Sequence, residues 1–368
     1  MKARLGDVCT VVSGSTPKST VPEYWDGDIK WITPAELSND TYIINDSARH
    51  ITALGVAKTG LKSFPAGTVI LSSRAPIGKT AIAGCEMFCN QGFKNLICSE
   101  KIDSKYLYYF LSGKTDYLNS LGRGATFKEI SKTIVENIEI PLPEIEEQKR
   151  IAARFERLLR LMQLQKAELE ELDKLVKSRF IELFGDPLSN DKGWKKVVIA
   201  EVCHAIFGGG TPSKSHPEYF AGSIPWVSPK DMKSSVINDS IDHITEEAIA
   251  HSTTNLVPAN SVLMVIRSGI LKHSLPVAIN SLPVTINQDM KAFVPNETVK
   301  TAFLMHFFKA IENDVLAGVR GVTADNIDFK AFQKRTIIVP PLALQEQFAA
   351  FVEQTDKSKL CGKMEVAA

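Results

Sequence analysis

The sequence is poor in cysteine, has no long apolar run and carries almost no net charge, and each shortage narrows the field. Its six cysteines are Cys9, Cys85, Cys89, Cys98, Cys203 and Cys361. They form no Cys-x-x-Cys pair and no Cys/His cluster at zinc spacing, which argues for structural thiols in a reducing compartment. Cys9 and Cys203 sit in apolar "DVCTVV" and "EVCHAI" and read as small buried hydrophobes. No run of about eighteen apolar residues occurs, and "MKARLGDVCTVV" lacks an apolar signal core. A cytoplasmic protein with no membrane partner is expected. The formal net charge is +1, so no global attraction to a polyanion exists. The first 143 residues carry 16 basic and 14 acidic side chains, a balance of +2, so any polyanion-binding surface must be a local patch.

Catalytic signatures are missing as well. "SSRAPIGKT" places Gly78, Lys79 and Thr80 in phosphate-loop order, but Ser73 stands where the loop needs its first glycine, and a strand-turn-strand hairpin is the better reading. The glycine run "FGGGTP" does not connect a clear strand to a helix and reads as a flexible turn. No Asn/Asp/Ser-Pro-Pro-Tyr/Phe motif of an amino-group methyltransferase is present. "PEYWDGD" comes nearest to a nuclease cluster, yet its repeat "PEYFAGS" drops both aspartates. His50 and His243 lack an adjacent nucleophile or ligand partner. The expectation is a non-enzyme with no catalytic residue, cofactor or metal.

What the sequence does contain is itself, twice. A chain of 368 residues with 44% hydrophobic and 23% charged residues is an ordinary globular composition with room for two domains. "TPKSTVPEYWDGDIKWITPAEL" from Thr16 and "TPSKSHPEYFAGSIPWVSPKDM" from Thr211 share nine of twenty-two positions without a gap. "INDSARHIT" then answers "INDSIDHIT", "NQGFKNL" answers "NQDMKAF", and "YLYYFL" answers "FLMHFF". "GRGATFKEI" answers "VRGVTADNI", and "IEIPLPEIEEQ" answers "IIVPPLALQEQ". The period is far too long for a solenoid, so a whole domain is duplicated. Short β-branched runs such as "TVILSS" and "SVLMVI" read as strands, and "SKYLYYFLSG" and "TAFLMHFFKAI" as buried helices, which makes each module α+β.

A helix follows each module. From Ile145 to about Phe184 no Pro or Gly interrupts, and Gly185 with Pro187 supplies the stop. Ile151, Phe155, Leu158, Met162, Leu169, Leu172, Val176 and Leu183 fall at alternating spacings of three and four, the 3.5-residue period of a coiled-coil seam, with Gln165 and Arg179 interrupting it. Such a helix spans roughly 60 Å and serves as a spacer. The second copy reads as short, from about Ala343 to Leu360. It covers about half of the first, and the uncovered seam is expected between Leu169 and Leu183.

Two modules that open with Gly-x-Thr-Pro…Pro-Glu-Tyr, continue through "SSR…IG" and "NQGF", and close with "RGAT…I" and "IPLP…EQ" before a helix resemble the specificity (S) subunit of type I restriction-modification systems. The likeness covers essentially the whole chain. It implies target recognition domains at 1–143 and 188–341, a conserved spacer helix at 144–187, and a short second spacer with tail at 342–368, the two spacers pairing as an antiparallel coiled coil. It also implies a subunit without catalytic activity that brings methyltransferase (M) and restriction (R) subunits to a bipartite site on double-stranded DNA. A tandem pair with approximate two-fold symmetry would meet half-sites about 34 Å apart on one side of a duplex, and unlike modules would read unlike halves.

Candidate DNA contacts are the repeat-matched polar loop residues Arg74 and Arg267, Arg123 and Arg320, Lys79 and Lys272, Thr126 and Thr323, and the pairs Asn90-Gln91 and Asn287-Gln288. Residues shared by both copies more often hold the common fold. True base readers are then expected where the copies diverge, at Lys18, Ser19 and Thr20 against Ser213, Lys214 and Ser215. Trp31 and Trp226 are expected in the core rather than as stacking platforms. The exposed remainder of the spacer seam would be completed by an M subunit or by a second copy of this chain. The neutral charge keeps one alternative open, a two-module protein-interaction scaffold that binds no nucleic acid.

Overall fold

In the computed structural model of the chain, residues 2–38, 41–124, 128–319 and 325–367 are described, with 361–367 as backbone only. The chain forms two compact units, Met1–Met162 and Gln163–Ala368, and the division falls inside the long helix Ile145–Phe184. Each end of that helix packs on its own module.

The two units repeat one α+β topology strand for strand. In the first, a five-stranded sheet runs in the order Cys9–Ser13, Lys94–Cys98, Val69–Leu71, Thr80–Ala83, Ile43–Ile44. A three-stranded sheet joins Arg49–Ile51, Trp25–Ile32 and Phe88–Cys89. In the second unit the corresponding orders are Cys203–Gly208, Met290–Pro295, Val262–Val265, Val277–Asn280, Val236–Ile237, and His243–Ile244, Ile224–Val227, Thr285–Ile286. The expected hairpin over "SSRAPIGKT" is present, with Val69–Leu71 antiparallel to Thr80–Ala83. Val69, Ile70 and Leu71 are all fully buried, as a continuous apolar run on a central strand requires.

Helices Ser104–Ser112 and Thr301–Ala310 close the two cores. The first buries Tyr106, Leu107, Tyr108 and Leu111, the second Phe303, Leu304, Phe307 and Phe308, so each turns one apolar face inward. Each module is also clasped at its base. Lys2–Arg4 pairs antiparallel with Glu139–Pro141, and Lys195–Val198 pairs with Thr336–Val339. The strand that begins a module is thereby tied to the strand that leads into the following helix.

That helix is anchored in its first turn by a buried glutamine. Gln148 accepts from the Asp103 N–H (2.9 Å) and donates to the carbonyls of Lys101 (3.0 Å) and Pro143 (2.8 Å). Gln345 repeats this with the Lys300 N–H (2.8 Å) and the carbonyls of Thr298 (3.2 Å) and Pro340 (2.8 Å). Both side chains are fully buried, with both N–H donors and the carbonyl oxygen engaged, which fixes the direction in which the helix leaves its module. In the first closing phrase the clamp is the final glutamine, and in "LALQEQ" it is the earlier one, Gln345, so the two phrases superpose two residues away from their ungapped match.

The long helix ends as expected. Gly185 takes the left-handed conformation (φ +74°), and its N–H closes on the Ile181 carbonyl at 2.7 Å. The C-terminal helix Leu342–Ala367 is longer than the sequence suggested, continuing through residues 361–367. It runs antiparallel to the second half of the long helix: Phe348 meets Phe180 and Phe184, each with ring centroids 5.5 Å apart, and Lys359 pairs with Asp173 at 2.7 Å.

This corrects the expected position of the uncovered seam. Val176, Phe180 and Phe184 are buried, and Leu169, Leu172 and Leu183 half-buried, within the stretch thought to be exposed. Ile151 is half-buried beside buried Ala152 at the other end. The exposed apolar side chains are Phe155, Leu158, Leu159, Leu161, Met162 and Leu164, each 43–57% exposed, and of these Phe155, Leu158, Leu159 and Met162 form one stripe. The reason is geometric. The C-terminal helix starts at the base of the second module, next to Phe184, and covers the long helix backwards from that end.

Candidate nucleic-acid interface

The twice-written phrase builds one hydrogen-bonded scaffold in each module. The Trp31 indole N–H donates to the Ser15 carbonyl and that of Trp226 to the Gly210 carbonyl, both at 3.0 Å. Trp31 is buried and Trp226 half-buried, so neither is a free platform. Thr33 N–H donates to Glu36 (2.7 Å) and Ser228 N–H to Asp231 (2.8 Å), and the same carboxylates receive the N–H of Ala48 and of Ile241. Thr52 and Thr245 cap the following helices through Gly55 and Ala248 N–H, both at 3.1 Å. In "INDS…HIT", His50 pairs with Asp46 and His243 with Asp239.

The glycine run proves to be a close crossing, not a flexible turn. A Cβ on Gly209 would lie 1.7 Å from the Asn287 carbonyl oxygen, and one on Gly14 would lie 2.1 Å from that of Cys89. Only glycine fits where these two backbones touch.

On this scaffold the residues where the copies diverge are displayed outward. Lys18, Ser19 and Thr20 are exposed, and the Lys18 carbonyl is pinned by the Trp25 indole N–H and the Val21 N–H, both at 3.2 Å. Ser213, Lys214 and Ser215 are exposed too, with the Ser213 and Ser215 hydroxyls 2.7 Å apart. The shared pairs are occupied with the fold. Gln91 accepts from the Thr16 hydroxyl and Gln288 from that of Thr211. Asn90 accepts from Gly92 N–H (2.8 Å) and Asn287 from Asp289 N–H (3.0 Å).

The arginines and lysines divide. Arg74 Nε donates to Glu129 (2.9 Å), Arg267 donates to Asp289 (2.6 Å), and Lys79 donates to the Leu37 carbonyl. Lys272 is two-thirds exposed and stands 3.9 Å from Asp325. Arg123 is exposed and its backbone exchanges both hydrogen bonds with Glu129. Thr126, Arg320 and Thr323 lie outside the described residues.

Glu129 was missed by the sequence reading, although its carboxylate gathers Arg74 and the nearly buried Lys94 while its backbone pairs with that of Arg123. Burial alone would raise its pKa. Hydrogen bonds from Lys94 and Arg74 reverse this and hold the carboxyl below its usual range. Its counterpart by position is Asn326, so Arg267 takes its acid from Asp289 instead. The one signal available was an acidic residue within a repeated loop phrase.

Among known proteins, residues 1–174 and 191–362 match the family described as type I restriction modification DNA specificity domain. The chain is 31% identical over 372 residues to the type I restriction enzyme MjaIX specificity subunit of Methanocaldococcus jannaschii, covering 95% of this chain and 85% of that protein. It is 34% identical over 260 residues to the EcoR124I/EcoR124II specificity subunit of Escherichia coli, 68% of this chain and 63% of the other. The S subunit structure of a type I restriction-modification system from M. genitalium aligns over 100% of this chain and 92% of its own, with a TM-score of 0.60 at 16% identity. With two family matches laid over two copies of one topology, the chain belongs to the type I restriction-modification DNA specificity family.

Proposed function

We propose that this chain is the DNA sequence-specificity subunit of a type I restriction-modification complex, catalytically silent in itself, with 1–143 and 188–341 as its two target recognition domains. The observation that carries the reading is the division of labour within the repeat. The shared residues are spent on hydrogen bonds inside each module, while Lys18, Ser19 and Thr20 and their unlike counterparts Ser213, Lys214 and Ser215 face solvent at matching places. Two scaffolds of one topology carrying different exposed side chains suit two different half-sites on one duplex. Arg74, Arg123, Arg267 and Lys272 serve phosphates beside them.

M and R subunits supply the chemistry in a cytoplasmic assembly, and the exposed stripe from Phe155 to Met162 is the place where an M subunit or a second copy completes the spacer. Footprinting of the assembled complex tests the central claim: two protected segments separated by an unprotected gap are expected, and one uninterrupted segment overturns it. Binding of the isolated chain to random duplex should weaken steeply with salt, and a flat response would favour a protein-interaction scaffold. Light scattering on the chain and on a Met162→Lys variant decides the occupant of the stripe. A dimer that the variant abolishes assigns it to a second copy, and a monomer in both assigns it to the M subunit.

A further inference from the structure

The two scaffolds are filled differently at one place. In the first module Trp25 and Trp31 meet edge to face, 5.1 Å apart at 83°. The Arg49 guanidinium lies 3.6 Å from the Trp25 ring centre and 5.9 Å from that of Trp31. Arg49 stands opposite Trp31 in the strand register. In the second module Phe220 and Trp226 keep the edge-to-face arrangement, 5.9 Å apart at 74°. The position of Arg49 is now Asp242, whose carbonyl accepts the Trp226 N–H at 2.9 Å. Its carboxylate is exposed and has no hydrogen bond or ion pair among the described residues. Where the guanidinium lay in one copy, the other has an open cavity of about 680 Å³ lined by Lys214, Phe220, Trp226, Lys230, Asp242 and Asn287.

The first module shows what such an aromatic pair holds: a planar group rich in N–H, attracted by the ring faces. In the second, the aromatic walls remain and the planar cation is exchanged for a hydrogen-bond acceptor of opposite charge. A ligand that fits must be flat, must donate N–H to Asp242, and must sit beside the ammonium groups of Lys214 and Lys230. An incoming arginine side chain meets the first two demands and is repelled by the third. A nucleobase with an exocyclic amino group meets all three, because its own phosphates answer the lysines.

We propose that the second module takes an unstacked base bearing an exocyclic amino group, adenine, cytosine or guanine but not thymine, into this cavity, its ring against Phe220 and Trp226 and its amino group on Asp242, while Arg49 closes the matching place in the first module. This rests on the DNA-reading function above and adds the base class and the residue that selects it.

The test uses the full chain and labelled oligo-dA, oligo-dC and oligo-dT at low salt, followed by fluorescence anisotropy, with random duplex as a separate arm. Oligo-dA and oligo-dC are expected to bind at least about five-fold more tightly than oligo-dT, the discrimination of one good base-edge contact. Both Asp242→Ala and Asp242→Leu, which remove the acceptor without adding a cation, should erase that preference while binding to random duplex still weakens steeply with salt. Equal affinity for the three strands, or a preference that survives both substitutions, overturns the proposal even if duplex binding stands. An arginine-rich peptide bound in an Asp242-dependent way, with no base preference, overturns it in favour of a protein side chain. If no DNA binds at all, the function itself falls with it.

Discussion

The Tyr42 hydroxyl donates to Glu156 Oε1 at 2.6 Å, and Lys105 reaches the same oxygen at 2.7 Å. A loop, a core helix and the fourth turn of the long helix are thus bound to one carboxylate, beside Tyr109 stacked on Phe155 at 5.2 Å. The Lys105 hydrogen bond, then that of Tyr42, holds the Glu156 pKa below the usual carboxylate range, while burial and Glu156 push the Tyr42 phenol up. A carboxyl lowered in the folded state stabilises above its unfolded value and ceases to do so as pH falls through the folded value. Glu156→Gln should cost about 1 kcal/mol at pH 7, small because Lys105 and Glu156 are partly solvated. The difference in Tm from the parent should shrink as pH falls from 6 to below 4. A difference constant with pH would show that the charge is not engaged.

Removing a glutamine clamp leaves buried backbone groups without partners. Gln345→Ala should destabilise by about 2–4 kcal/mol, with faster amide exchange at Lys300, whose N–H the side chain accepts. Chemical denaturation together with hydrogen exchange checks both parts.

The junction of the long helix with the C-terminal helix is aromatic: Phe180 touches Phe184, Phe303 and Phe348 at centroid distances of 5.0–5.7 Å. Phe180→Ala should cost about 3–5 kcal/mol. Leu175→Ala, at a half-exposed site five residues earlier, should cost far less. Equal losses would mean that the C-terminal helix does not seat where described.

His306 lies edge-on to Phe348 at 5.2 Å, with its Nε2 buried and without a hydrogen-bond partner among the described residues. Burial, aided by Lys309 and Lys359, lowers its pKa from 6.5 to about 3. Between those values the unfolded chain binds the extra proton, so stability falls as pH drops from about 6.5. His306→Phe, matching Tyr109 at the equivalent place in the first module, should flatten the fall in Tm between pH 7 and 5. An unchanged slope would show that other groups set the acid limit.

Much of the architecture was legible because it is written twice. A phrase repeated at long range, such as the one around Trp31 and Trp226, reports shared packing whatever its geometry, and the stretch without Pro or Gly from Ile145 to about Phe184, stopped by Gly185, marked out the long helix. What periodicity could not say was which partner covers which face. Phe180 and Phe184 were passed over because a strict heptad steps through Leu183, whereas the buried row Val176, Phe180, Phe184 drifts by fours. Glu129 and Asp289 were invisible for another reason. Two unlike loops deliver the acid that holds the same arginine, and sequence matching sees only residues that stay in place. Gly14 and Gly209 looked like slack because a glycine forced by contact and one that is merely free are spelled alike.

Those two glycines set the terms on which such a protein can change. At Gly14 and Gly209 even one added methyl group must displace a neighbouring strand, yet four residues downstream the chain emerges into solvent at Lys18 and Ser213. Inheritance can therefore rewrite the tips freely while the crossing beneath them stays monotonous. New appetites for sequence should arise by exchange of surface loops, with the joints left untouched.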